Sequence, residues 1–299
     1  MRRLLVVEVI ALGLIALAAG LVPAAPGAFA QEFELPTLHS PQPFLPMPAP
    51  AFAGWGGFYV GGQIGYSAAG ADFANSVNDL SSYIVRDSIF EPIVSGFTTL
   101  GKSNSNATSY GWFAGYNSQW EGAMLGFELN YNRTALNPAA SDSVSLSIAN
   151  DATAPSGHHF FYDPFNVSGS AGFHITDIAT ARARAGWTAG QFMPYAFLGV
   201  AVVRADVFRT ATVSYTRTDI PDPQTPPSPP LTPLPTQFFG PVTQSDTKNG
   251  AFFFGYAAGV GVEICVMPNV FVRGEWEFVD MQSMHANINS VRTGIGVRF

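Results

Sequence analysis

Beyond the N-terminal region, apolar and polar residues alternate with a period of two, which is the pattern of β-strands with two unlike faces. In the first such segment Phe58, Val60, Ile64 and Tyr66 share one face, while Tyr59 and small or polar residues share the other. Each segment is long enough to cross a bilayer at a tilt, for which about 9–11 residues suffice. Eight segments of this kind follow one another, at 55–67, 109–120, 123–134, 174–187, 193–208, 251–266, 270–281 and 288–299.

The connections between these segments alternate in length. Three are short (121–122, 188–192 and 267–269), three are long (69–108, 135–173 and 209–250), and the last, 282–287, is intermediate. Short periplasmic turns and longer external loops are typical of outer membrane barrels. The pattern therefore predicts an all-β fold, namely an eight-stranded antiparallel up-and-down transmembrane β-barrel with long external loops.

Aromatic residues at the ends of the segments indicate which face meets lipid, because membrane barrels carry aromatic girdles at both interfaces. We expect Trp55, Trp120, Trp187 and Tyr195 at one rim, and Tyr66, Tyr110, Trp112 and Tyr131 toward the other. The apolar face is accordingly assigned to lipid. The opposite face then places nearly balanced charges in the lumen, where they must be paired or hydrated. These charges are Glu128, Arg182, Arg184, Glu263, Arg273, Glu275, Glu277, Arg292 and Arg298.

Two interpretations of this lumenal charge network stay open. It is a structural filling that links the strands, or it is an ion-selective constriction. A barrel of eight strands is only wide enough for its own side chains to fill it, whereas the many glycines on the inward face leave room for a small water path.

Composition excludes several classes of protein. Only 12% of the residues are charged, against 47% apolar, and 14 Lys and Arg face 21 Asp and Glu. The chain therefore carries no basic footprint for nucleic acid, and its aromatic content argues against disorder. A single cysteine, Cys265, excludes an internal disulfide framework and a zinc site built from several cysteines.

The N-terminus has the layout of a secretory signal peptide. Arg2 and Arg3 precede an apolar run, and a small-x-small sequence ends at Ala30, so cleavage is expected between Ala30 and Gln31. The run is also long enough for a transmembrane anchor, which is the alternative. We expect a signal peptide at 1–30, a Pro-rich periplasmic linker at 31–53 and an outer membrane β-barrel domain at 54–299.

Several motifs resemble sites of chemistry but lack their context. Gly96 to Ser103 matches the phosphate-loop pattern, although no helix is predicted after it. His158 and His159 lie beside Tyr162 and Asp163 without a third metal-ligand spacing, and Cys265 has no histidine at a useful spacing. We expect no catalytic, cofactor or metal site. The proline tract at 220–237 predicts an exposed polyproline spacer, or a docking segment for an external partner.

Four short sequences carry a family resemblance, namely Gly54–Gly61, Gly115–Asn117, Arg182–Gly186 and Gly294–Phe299. With them the chain resembles the small outer membrane β-barrel proteins of alphaproteobacteria, within the wider group related to the OmpA transmembrane domain. The resemblance implies an eight-stranded barrel inserted by the barrel assembly machinery, with Phe299 as part of the assembly signal. The connections 69–108 and 209–250 look long for the family, and no peptidoglycan-binding domain is expected after the barrel.

The expected function is that of an outer membrane protein without catalysis, cofactor or nucleic acid, with an envelope-structural or surface-interaction role. Its expected partners are outer membrane lipid, the assembly machinery, and an external ligand or host partner reached through the long loops. The alternatives are a narrow porin for small solutes, an outer membrane enzyme and a secreted soluble barrel that carries a ligand.

Overall fold

The structure, a computed structural model, describes residues 54–87, 91–94, 100–149, 159–221 and 232–299. The predicted signal peptide, its cleavage site at Ala30 and Gln31, and the proline-rich linker lie outside the described residues. Within the described part of the chain, no helix is long and apolar enough to cross a bilayer.

Nine strands and two short helices make up the described chain. The strands are β1 (Gly57–Asp72), β2 (Lys102–Trp120), β3 (Ala123–Leu136), β4 (Ala139–Ala149), β5 (His159–Trp187), β6 (Phe192–Pro221), β7 (Gln237–Met267), β8 (Val270–Met281) and β9 (Ala286–Arg298). The helices are α1 (Asn78–Ile84) and α2 (Glu91–Val94), and a 3-10 turn covers Gln282–Met284.

Eight of these strands close into a ring by antiparallel pairing. β1 pairs with both β2 and β9, and β3 pairs with both β2 and β5, so the order β3-β2-β1-β9-β8-β7-β6-β5 returns to its start. Closure leaves no free sheet edge in the lipid, which a membrane-spanning sheet requires. The predicted eight-stranded antiparallel barrel is thereby confirmed.

One rim, here called the turn rim, carries the two-residue turn Glu121–Gly122, the turns at 188–191 and 268–269, and the chain end at Phe299. The other rim is called the sheet rim. Short turns are periplasmic in outer membrane barrels, so we expect the turn rim to face the periplasm and the sheet rim to face the outside.

The outward face matches the predicted lipid face. Phe58, Ile64, Phe127, Leu198 and Val260 are each about half exposed or more on the outside of the barrel. The two aromatic girdles are present with Trp120 and Trp187 at the turn rim and Tyr66, Tyr110 and Trp112 at the sheet rim.

Two members of the predicted turn-rim girdle lie inside the barrel and not on its outer surface. Trp55 and Tyr195 are buried inside the barrel. Gly57, two residues after Trp55, has a φ of 115°, which is accessible to glycine. The indole Nε1 of Trp55 donates to the Gly190 carbonyl at 3.0 Å and closes the turn rim from inside.

The long connections predicted at 135–173 and 209–250 are largely strand rather than loop. β5, β6 and β7 have 29, 30 and 31 residues, and the extra strand β4 pairs with β5 along its whole length. Beyond the sheet rim β6 continues over 207–221, which at about 3.3 Å per residue is a reach of roughly 50 Å. The barrel thus continues into a four-stranded sheet of order β7-β6-β5-β4, here called the outer sheet.

Register shifts mark the passage from barrel to outer sheet. They fall between Arg133 and Leu136, between Ile175 and Asp177, and between Ala205 and Val207, on adjacent strands at one height. β-Bulges of this kind are common at barrel rims, where they bend a strand and change its facing.

Helix α1 packs on the inner side of the outer sheet and over the mouth of the barrel. Val77 and Leu80 are buried in an apolar cluster with Leu100 and Phe173. Gly169 is required there, because a Cβ at this position would lie 2.9 Å from a methyl of Val77. Arg209 of β6 ties the helix to the sheet by contacting Asp79 at 3.1 Å and Asp246 at 2.6 Å.

Candidate functional site

The centre of the barrel holds a buried ion cluster whose hub is Glu128 of β3. The Glu128 carboxylate is fully buried and lies 2.9 Å from Arg184 Nη1 and 2.9 Å from Arg273 Nη1. Arg182 Nε also donates to it at 3.0 Å, and the Tyr59 hydroxyl donates at 2.7 Å. Strands β1, β3, β5 and β8 are therefore joined across the lumen through one carboxylate.

Two further carboxylates on β8 extend the cluster. Arg182 reaches both oxygens of Glu275, at 2.8 and 2.7 Å, and Glu277 at 2.9 Å. Arg292 of β9 lies 3.2 Å from Glu275 and 2.5 Å from Glu277. The Tyr195 hydroxyl donates to Glu275 at 2.8 Å. Bidentate arginine–carboxylate pairs of this kind are directional and fix the geometry of both partners.

Glu263 lies at the edge of the cluster and contacts Arg184 at 2.5 Å. Eight of the nine predicted lumenal charges are thus brought together, as four acids and four arginines. Arg298 lies lower, at the turn rim, where its guanidinium donates to Cys265 Sγ at 2.8 Å and packs over the Trp55 ring at 4.4 Å. It belongs to the closure of the turn rim and not to the ion cluster.

Aromatic rings pack against the arginines of the ion cluster. Arg182 lies over Phe197 at 4.1 Å, Arg184 over Tyr195 at 3.9 Å and Arg273 over Phe113 at 3.4 Å. Cation–π contacts of this geometry strengthen when they are desolvated. The charges are therefore buried among rings and carboxylates.

The inward glycines make room for those rings. A Cβ at Gly296 would lie 2.4 Å from the Phe271 ring, and one at Gly259 would lie 2.4 Å from the Phe197 ring. The space beside these glycines, which could otherwise admit a small water path, is occupied by aromatic side chains.

Above the ions, toward the sheet rim, the lumen is filled by an apolar layer. Ile178, Val203, Val279, Met281 and Ile288 are all buried there and join the cluster that α1 covers. Going from the turn rim outward, the described lumen contains the Trp55 closure, the ion cluster and this apolar layer, with the buried hydroxyls of Ser67, Ser109 and Ser290 between the last two.

The outer sheet has unlike faces. Its inner face is apolar, with Val167 and Val213 buried against Val85 and Val94. Its other face carries small hydroxyl side chains in rows across the strands. One row joins Ser143, Ser168, Thr212 and Thr243, with 2.9 Å between the last two hydroxyls.

The motifs that resemble chemical sites are placed as follows. Lys102 and Ser103 of the phosphate-loop pattern begin strand β2 where that chemistry needs a helix, and Lys102 Nζ lies 3.3 Å from Asp72. His158 and the side chain of His159 lie outside the described residues, as does most of the proline tract. Cys265 is buried at the turn rim.

Sequence reasoning missed the neutral members of the ion cluster. Gln63 donates to Asn130 at 2.9 Å and to Asn132 at 2.6 Å, and Arg292 donates to Asn130 at 3.3 Å. Their position on the inward face was readable from the alternation of β1 and β3. The pairing between strands was not, because it depends on the register of the closed barrel.

Comparison with known proteins places the fold in a family. The profile described as outer membrane protein beta-barrel domain matches residues 43–299, which include all nine strands. No match to a curated protein was found.

Solved structures that align with this chain include the following three proteins. Ail, the attachment invasion locus protein of Yersinia pestis, aligns with a TM-score of 0.34 and 10% identity over 82% of this chain and 100% of that one. Neisserial surface protein A aligns at 0.30 and 13% over 81% and 97%. The translocator domain of the autotransporter NalP from Neisseria meningitidis aligns at 0.27 and 12% over 81% and 89%.

Proposed function

Because the chain belongs to the outer membrane protein beta-barrel domain family, we propose that it is a closed, non-conducting barrel that anchors a β-sheet for contacts at the cell surface. It resides in the outer membrane of a Gram-negative cell. The proposed role is one of contact with an external partner and involves no catalysis. It is the surface-interaction role that the sequence predicts, with the outer sheet as the surface that makes the contact.

The observation that carries this proposal is the filled lumen. Three successive layers of buried side chains occupy the described barrel, and its central layer is a neutral set of four acids and four arginines. Narrow barrels of eight strands are wide enough only for such a filling. The barrel is therefore suited to hold position in the membrane, and conduction would require the layers to open.

The outer sheet is the polar surface that the anchored barrel presents to an external partner. Its hydroxyl rows on β4 to β7 face away from α1, and those at Thr210 and Thr212 lie roughly 10–20 Å along β6 beyond the rim. A polar surface carried by hydrogen-bonded strands loses less conformational entropy on binding than an irregular loop does, which favours recognition of another molecule.

Cysteine labelling on intact cells tests the display of the outer sheet. Thr243→Cys lies on the exposed face of β7, and we expect a membrane-impermeant maleimide to label it without permeabilisation. Asn269→Cys in a turn-rim connection is the matched control and should react only after the outer membrane is opened. The native Cys265 is buried and sets the background. Labelling of Asn269→Cys alone on intact cells would contradict the proposal.

The narrow porin is the alternative, and it needs a continuous polar path through the barrel. Among the described residues, the Trp55 closure and the apolar layer each interrupt such a path. The ion cluster is also charge-balanced, so it has no net sign with which to select an ion. These features favour the anchoring role.

A further inference from the structure

A cleft of about 330 Å³ lies on the outside of the barrel at the sheet rim, apart from the lumen and the outer sheet. Tyr131, Val202 and Phe252 line its apolar wall, and Arg133 and Arg204 stand at its edge. Phe252 is 64% exposed. The cleft is thus open toward the lipid on one side and basic on the other.

The register explains how one cleft receives two arginines. Arg133 of β3, Asp177 of β5 and Arg204 of β6 form one row across the strands, at the height where the bulges occur. The row below it consists of Tyr131 and Val202 on either side of an alanine. Charged groups therefore sit directly above the apolar band, at the level of lipid headgroups.

Asp177 leaves most guanidinium N–H donors of Arg133 and Arg204 available for a ligand. Its carboxylate accepts from the Tyr131 hydroxyl at 2.5 Å and from Thr176 Oγ1 at 2.7 Å. The nearest approach of Arg204 Nη1 to it is 4.0 Å, and the Arg204 side chain is 56% exposed. The row carries one acid and two arginines, so its net charge is positive.

An aromatic shelf lies beside this row. Trp112 stacks on Tyr131 with ring centroids 6.0 Å apart, and aromatic rings at this height are typical of the membrane–water interface. We propose that the cleft binds a phosphate group of an anionic glycolipid of the outer leaflet, with the phosphate between Arg133 and Arg204 and an acyl chain along Val202 and Phe252. The inference rests on the proposed exposure of the sheet rim to the outside.

The chemistry of the two side chains suits this ligand. Guanidinium groups present paired N–H donors that match phosphate oxygens and are weakly hydrated, which favours binding at an interface. A lipid also satisfies the apolar wall, which a free phosphate ion leaves uncovered. The proposed ligand is therefore the lipid headgroup and not inorganic phosphate.

Native mass spectrometry of the refolded full chain in neutral detergent tests the site. The probe is a diphosphorylated acylated glucosamine disaccharide, compared with its dephosphorylated form and with inorganic phosphate as competitor. We expect Arg133→Gln and Arg204→Gln each to weaken binding about tenfold. Asp177→Asn should strengthen it several-fold, because it removes the opposing charge. Arg86→Gln, an exposed arginine near α1, is the matched control and should change nothing.

Three results would overturn the lipid site: unchanged affinity in the double variant of Arg133 and Arg204, equal binding of the dephosphorylated lipid, or displacement by inorganic phosphate at concentrations similar to the lipid. Because the barrel remains folded in these variants, their heat-modifiable gel shift and the labelling of Thr243→Cys should be unchanged. Loss of lipid binding with intact labelling separates this inference from the proposed function.

Discussion

Replacing the hub of the ion cluster, Glu128→Gln, should destabilise the barrel more than any other single lumenal change. The carboxylate is fully buried and holds Arg182, Arg184 and Arg273 together. Its neutralisation leaves three acids against four arginines, so one positive charge is stranded in a region packed with aromatic rings. Glutamine keeps one acceptor oxygen but brings an N–H₂ group to face those donors.

The magnitude follows from the burial. Removing one partner of a buried ion pair costs about 3–5 kcal/mol, which is roughly two to four powers of ten in the unfolding equilibrium. Glu263→Gln is the matched control, because among the described residues Glu263 forms its ion pair with Arg184, and Arg184 keeps Glu128. Its expected cost is about 1–3 kcal/mol.

Urea unfolding in lipid vesicles, followed by tryptophan fluorescence and the heat-modifiable gel shift, measures both variants. The double variant Glu128→Gln with Arg273→Gln restores neutrality, so its loss should be smaller than the sum of the two single losses. A Glu128→Gln barrel within about 1 kcal/mol of the wild type, or strict additivity in the double variant, would refute the coupled ion cluster.

Other features give further predictions. Val260→Arg, on the lipid face, should lower the free energy of unfolding in vesicles by about 2–4 kcal/mol, and a harmless substitution would invert the face assignment. Deleting 290–299 removes most of β9, so immunoblots should detect no truncated protein at the cell surface. Normal surface levels would argue against a closed barrel. The Arg209 hydrogen bond holds the pKa of Asp246 below its usual value. The stability that this pair adds to the attachment of α1 is therefore fully present above about pH 3.9 and is lost as the pH falls through the lowered pKa. Hydrogen-exchange protection of α1 should drop in that pH range in the wild type. The same drop should be absent in Asp246→Asn. N-terminal sequencing of the membrane fraction should begin at Gln31, and a retained leader would exclude cleavage there.

The barrel strands were predictable because lipid and lumen impose opposite chemistry on alternate residues. Leu198 and Val260 face outward and Glu263 faces inward, as alternation alone requires. Interior neighbours were not predictable, since they depend on the register between strands that are distant in sequence. Glu128 and Arg273 are 145 residues apart, yet they share the hub.

The outer sheet escaped prediction for a physical reason. Beyond the sheet rim the outside of a strand meets water instead of lipid, so the polar face becomes the outer one. The bulge near Asp177 accompanies this change, and after it Val167 is buried while Ser168 faces away from the core. The pattern of outward apolar residues therefore ends at the sheet rim, although the backbone hydrogen bonds between the strands continue beyond it.

Residue type alone predicts the wrong position for Tyr195 and Arg298. Tyr195 was placed in the girdle because it is an aromatic residue at a segment end, but it shares its face with Phe197 and Val203, which are buried. Arg298 likewise shares the inward face with the ion cluster but lies one layer below it, beside Trp55.

Single-channel recording of the refolded protein in a planar bilayer tests the central claim of a filled, anchoring barrel most directly. Insertion is verified in the same bilayer by protection of the barrel from added protease, and a general porin serves as the positive control for conduction. The filled lumen predicts a quiet membrane, with no stable conductance steps from the wild type. Reproducible steps from wild-type protein, with insertion verified, would contradict the account and restore the narrow porin.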